Sequence, residues 1–174
     1  MSARFQRTRD GKVRVELAAE ERALLRSLPD ELRSLYESPP ADDDPVRNRL
    51  FPRAYLDPTA EDAEREWREL VHPELLRERL GSLELVARTL DGGQERRGRV
   101  VVELDEEQVA AWLGVLNDAR LALGTRLGVT EDLDYADVDP DDDRAPGLAA
   151  YGWLTYLEGE LVETLLGGFP DDPE

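Results

Sequence analysis

The chain has 174 residues, of which 40% are hydrophobic and 36% charged, a balance that suits one compact, heavily solvated domain. Its 40 acidic against 22 basic residues give a formal charge of -18, which repels nucleic-acid phosphates and anionic membranes. No cysteine is present, so disulfides, thiolate catalysis, Cys-ligated zinc and thiol redox sensing are excluded.

The opening stretch MSARFQRTRDGK is basic but leads into no apolar run, and nothing approaches 18 consecutive apolar residues. A soluble cytoplasmic protein is expected. Asp10-Gly11 signals a two-residue hairpin turn. After it, Val13, Val15 and Leu17 alternate with polar residues as a half-buried strand does. Residues 98–104, GRVVVEL, repeat the pattern and are expected to join the hairpin as a third antiparallel strand, because an isolated hairpin is marginal.

Residues 18–37 predict two short helices divided at Pro29, with Leu24, Leu25 and Leu28 on one face and Leu32, Leu35 and Tyr36 on the next. ESPPADDDP breaks regular structure. In VRNRLFPRAYLDP the apolar Leu50, Phe51, Tyr55 and Leu56 predict an ordered loop or short helical turn pinned to the core. Thr59 is a candidate N-cap for a helix that turns Trp67 and Leu70 inward and ends at His72-Pro73, where another begins. That next helix carries a stripe of Leu76, Leu80, Leu83, Ala87 and Leu90. DGGQERRG is then a loop.

Asp105 is expected to cap the long helix holding WLGVLNDARLALGTRLGV, and Gly128 to end it. Residues 130–146 predict a mobile acidic loop, residues 147–166 a last helix with Leu154, Leu157, Leu161 and Leu165 on one face, and residues 168–174 a frayed tail. The whole, residues 1–174, reads as a single mainly α domain. About five to six helices join a small antiparallel sheet built from the N-terminal hairpin and a strand near 99–104.

Arg120 breaks the pattern. It falls in the middle of the apolar stripe formed by Val109, Trp112, Leu113, Leu116, Ala119, Leu123 and Leu127. A guanidinium is not neutralised by burial, so it must meet carboxylates, carbonyls or an anion. Two readings follow: a polar network that pins the helix, or an anion pocket built on Arg120, Asn117 and Arg49. The run Asp137 to Asp143 begins like an EF-hand loop but fails at position six, Asp142, and position twelve, Leu148, so a solvated acidic loop is expected.

His72 is the sole histidine. With no second histidine, no cysteine, no G-x-S-x-G, no Walker A and no G-x-G-x-x-G, the chain predicts no metal, no cofactor and no enzymatic activity. Two basic clusters, Arg4, Arg7, Arg9, Arg14 and Arg96, Arg97, Arg99, would meet if the third strand forms. They would then either protect strand edges or dock an acidic partner or RNA. Trp153 is expected in the core and Tyr156 is a candidate interface anchor.

Three stretches, RNRLFPRAYLDP, AAWLGVLNDARLALGTRLGV and YGWLTYLEGELVETLLGG, resemble an actinobacterial domain family of unknown function whose genes commonly stand beside the gene for the Clp protease adaptor ClpS. The resemblance covers most of the chain. It implies a cytoplasmic regulatory or adaptor role, with stress-responsive transcription control through paired cysteines proposed for some relatives. With no cysteine here, that chemistry is closed to this chain. The family pattern points to Arg49, Pro52 and Tyr55 in the first stretch and to Asn117, Arg120, Leu123, Gly124 and Arg126 in the second. The expected function is non-enzymatic regulation through a protein partner from the transcription or Clp machinery. Arg49, Tyr55, Asn117, Arg120 and Arg126 are the candidate binding residues. A small-anion sensor at Arg120 is the alternative, and nucleic-acid binding ranks below both.

Overall fold

A computed structural model describes residues 3–38, 43–130 and 141–167. Five α-helices pack on a four-stranded antiparallel sheet, so the mainly α reading and the joining of residues 99–104 to the N-terminal hairpin are both borne out. In chain order the elements are β1 (Arg4–Arg7), β2 (Val13–Leu17), α1 (Ala19–Glu37), α2 (Pro45–Leu50), a 3-10 turn (Pro58–Ala60), α3 (Glu61–Asp91), β3 (Gln94–Arg96), β4 (Arg99–Leu104), α4 (Glu106–Leu127) and α5 (Ala145–Leu166). Most of the expected acidic loop and the whole 168–174 tail lie outside the described residues.

The sheet order is β1-β2-β4-β3, with Val15 opposite Val102 and Arg14 opposite Glu103. Alternation puts Val13, Val15, Leu17, Val100, Val102 and Leu104 on the buried face, while Arg14 and Glu103 pair at 2.7 Å on the other. Both basic clusters thus end up in one sheet. The hairpin loop is longer than expected: Thr8 to Lys12 separates the strands, with Asp10-Gly11 inside it. Residues read as a loop supply β3, which turns into β4 through Arg97 and Gly98. Their φ values of 51 and 77 are those of a tight primed hairpin turn, and glycine meets that demand without strain.

Neither proline divides its helix. Pro29 lies buried inside a continuous α1, whose Leu25, Leu28, Leu32 and Tyr36 form one buried face. Splitting the helix would misalign that face, and its burial outweighs the lost hydrogen bond. Pro73 lies inside α3, where the Glu69 carbonyl loses its helical donor on an exposed turn. The two helices expected on either side of His72-Pro73 are therefore one helix of 31 residues. Its start differs too: Ala60 stands at the N-cap of α3 without a side-chain bond, and Asp57 caps the 3-10 turn before it, accepting from Thr59 N at 2.8 Å.

The expected ends of α4 are observed. The Asp105 carboxylate accepts from Gln108 N at 2.9 Å, the Gln108 side chain answers at Asp105 N, and Gly128 closes the helix at φ 67. The helix lies at the centre of the bundle, against α1, α2, α3 and α5. No described helix is long and apolar enough to cross a membrane.

Candidate functional site

Leu50 and Phe51, at the end of α2, are buried and anchor the chain that follows. The Phe51 ring meets Tyr36 edge-on at 5.7 Å and His72 at 4.9 Å, with the Arg79 guanidinium 4.5 Å above it. His72 is thus a packing residue within α3 rather than a helix boundary. Burial and the cations Arg47, Arg68 and Arg79 hold its pKa below the ordinary histidine value.

Beyond Phe51 the segment 52–57 has no regular structure and is braced from α3, chiefly by Glu64. Glu64 is only 3% exposed. Its Oε2 accepts from Ala54 N at 3.0 Å and Tyr55 N at 2.9 Å, while its Oε1 accepts from Arg68 Nε at 2.7 Å. The Tyr55 amide above all, with Arg68 and the Ala54 amide, keeps this carboxyl below the usual glutamate range against the opposing effect of burial. Arg53 adds a bond to the Tyr55 carbonyl and a pair with Glu61 at 2.6 Å.

The braced backbone holds Tyr55 and Leu56 outward, 44% and 83% exposed. Expected to be pinned to the core, they instead project from it. On α3, Trp67 is half-buried as an inward residue would be, but Leu70 is 72% exposed and corrects its inward assignment. A cleft of about 640 Å³ opens beside the segment, between Pro52, Arg53 and Leu56 on one side and Glu61, Arg65 and Arg68 on the other. The fixed backbone thus presents two exposed apolar side chains beside this cleft.

The arginine in the apolar stripe finds its carboxylate on the neighbouring helix. Arg120 Nε stands 2.9 Å from Glu158 Oε2 of α5, and its guanidinium donates to Asn117 Oδ1 at 3.3 Å. One turn on, Gly124 lies under the Tyr151 ring of α5, where a Cβ would come within 2.8 Å of a ring carbon. The arginine thus pins α4 to α5 where glycine lets the two approach closely.

Arg49 shares a cleft of about 460 Å³ with Arg120, Thr125, Gly128 and Tyr151. An anion there would meet Glu158 as well as Arg120, beside the negative C-terminal end of α4. That arrangement favours the pinning role over an anion pocket.

Sequence reasoning missed the most deeply buried charged residue of α4. Asp118 is 7% exposed, accepts the Tyr36 hydroxyl at 2.5 Å and stands 3.4 Å from Arg79 Nη1. Burial raises its pKa, with the Tyr36 bond and Arg79 acting the other way; burial and Asp118 raise that of Tyr36. This network joins α1, α3 and α4 in the core beneath Phe51.

Of the candidate residues, Arg49 and Arg120 share one cleft and Asn117 bonds Arg120. Arg126 is exposed in the last turn of α4, and Tyr55 belongs to the separate Glu64-braced surface. Among the described residues, no group of His, Asp or Glu is placed to hold a metal ion.

Residues 1–165 match the model of a domain of unknown function, DUF2017. The chain is similar to the oxidative stress regulator AosR of Mycobacterium tuberculosis strain H37Rv, 33% identical over 92% of this chain and 85% of the relative. The AosR of Mycobacterium bovis gives the same identity and coverage. No solved structure matches.

Proposed function

This chain belongs to the DUF2017 family, and on that premise we propose that it is a non-enzymatic stress regulator that acts in the cytoplasm by binding another protein. The observation that carries the reading is the surface at Tyr55 and Leu56, apolar side chains on a backbone that Glu64 holds rigid. A preordered loop loses little entropy on binding, and exposed aromatic and aliphatic anchors supply the contact energy. The partner comes from the transcription or Clp machinery.

The chain contains no cysteine, and its one methionine is Met1, so it carries no dithiol that an oxidant could close. In this reading an oxidative signal reaches the protein through its partner rather than through its own sulfur chemistry.

A tagged pull-down from native lysate at low and high salt, with wild type and a folded Tyr55→Ser, Leu56→Ser double variant, tests the proposal. A salt-resistant partner from either machinery, lost with the double variant, is the expected result. Only salt-labile, miscellaneous capture would overturn it.

A further inference from the structure

Charge is unevenly distributed along the chain. Residues 3–18 hold five cations and two carboxylates, and residues 88–104 four and three, on a chain whose total is -18. The sheet joins these two segments, so a net positive region stands on an acidic body.

Part of one edge of that sheet has no strand partner among the described residues. β3 pairs only with Arg99, Val100 and Val101 of β4. The remaining Val102, Glu103 and Leu104 pair with β2 on one side, and among the described residues no strand pairs with them on the other. A groove of about 600 Å³ runs there, lined by Leu85, Arg88, Gly92, Arg96 and Val102 and by Glu103, whose carboxylate is paired with Arg14. Arg88 and Arg96 are both exposed, and among the described residues neither forms an ion pair; Arg96 meets only the Gln94 side chain, at 3.1 Å. A free strand edge offers backbone groups to an extended chain, and the arginines offer bidentate sites for its carboxylates.

We propose that the groove beside the free edge of β4 receives an extended acidic segment of a partner protein, paired with Val102–Leu104 and held by Arg88 and Arg96. The proposal rests on the reading that this chain works by binding a protein. It adds a second surface, at the other end of α3 from Glu64. About 24 residues of helix separate Glu64 from Arg88, roughly 36 Å. Nucleic acid is the poorer occupant. The groove places Leu85 and Val102 beside the arginines rather than aromatic stacking platforms, and the rest of the chain repels phosphate.

The test uses fluorescence anisotropy on the full chain with three short dye-labelled probes. One is a peptide alternating valine and aspartate, one its valine–asparagine counterpart, and one a single-stranded oligonucleotide of matching length. The aspartate peptide is expected to bind at least about tenfold more tightly than either other probe. It should also slow hydrogen exchange at the amides of Val102–Leu104.

An Arg88→Gln, Arg96→Gln variant with an unchanged circular dichroism spectrum should lose about tenfold in affinity, whereas Arg77→Gln should not. Absent binding, equal binding of the asparagine peptide, preference for the oligonucleotide, or indifference to the double change would each overturn the proposal. The Tyr55→Ser, Leu56→Ser chain is expected to bind the aspartate peptide normally. Failure of this groove is thereby distinguishable from failure of the Tyr55 surface.

Discussion

Glu64 and Asp118 are both nearly sealed from solvent, at 3% and 7% exposure, yet the protein accommodates the two carboxylates differently. Glu64 is surrounded by donors, two backbone amides and a guanidinium, so its ionised form is favoured and its pKa falls. Asp118 sits among packed helices, where burial outweighs the Tyr36 hydroxyl and Arg79, and its pKa rises. One carboxylate organises a surface segment, and the other ties three helices together. The contrast separates a residue whose loss disturbs a local surface from one whose loss disturbs the whole fold.

Asp118→Ala should produce the largest effect. It strips Tyr36 and the largely buried Arg79 of their shared partner and costs about 3 kcal/mol, a fall of about 6–12 °C in melting temperature by calorimetry. Glu64→Gln should cost less than Asp118→Ala, because the bonds it weakens lie at an exposed segment. Its signature is local: faster amide exchange at Ala54 and Tyr55 and weaker capture of the partner. A global loss equal to that of Asp118→Ala would erase the distinction.

Arg120→Met should cost about 1 kcal/mol in urea unfolding, since it leaves the partly buried Glu158 without its cation while keeping the apolar stem. Folded protein with a modest loss is the outcome expected of a helix-pinning contact.

The smallest effect is in pH dependence, where the two carboxylates have opposite signs. Glu64 has a folded pKa below its unfolded value of about 4.3, so its contribution is present at neutral pH and lost as pH falls through the folded value. Asp118 has a folded pKa above its unfolded value of about 3.9, so its contribution is present in acid and lost as pH rises through the folded value. In urea unfolding from about pH 3 to 6, the stability gap between wild type and Glu64→Gln should widen. The gap between wild type and Asp118→Asn should narrow. Parallel trends would show that the two sites are not distinguished in this way.

Local signals were the legible ones. Asp105 with Gln108 and Gly128 mark α4 by chemistry confined to a few residues, and the alternating valines of residues 99–104 announce a strand for the N-terminal hairpin. What depended on neighbours was not legible. Pro29 and Pro73 look like breaks until the faces they interrupt are packed. Asp118 was overlooked beside Arg120 because the stripe argument gives a helix one buried face, whereas α4 is covered on several. Apolar character alone points Tyr55 and Leu56 toward the core, and the family pattern alone makes Tyr55 a binding candidate; the bracing of their backbone by Glu64, nine positions beyond Tyr55, is not visible in either signal. Arg120 was readable as a pinning charge, but its partner on α5, Glu158, was not.

Pro73 interrupts the hydrogen-bond ladder of α3 on an exposed turn, next to His72 and about one and a half turns before Arg79, which both pack on the core. A helix that lacks one backbone bond bends most easily at that point. From Pro73 to the end of α3 is roughly 18 residues, about 27 Å, so a bend of about 10° moves that end by about 5 Å. A bend at Pro73 is thus the softest deformation that α3 offers along its length.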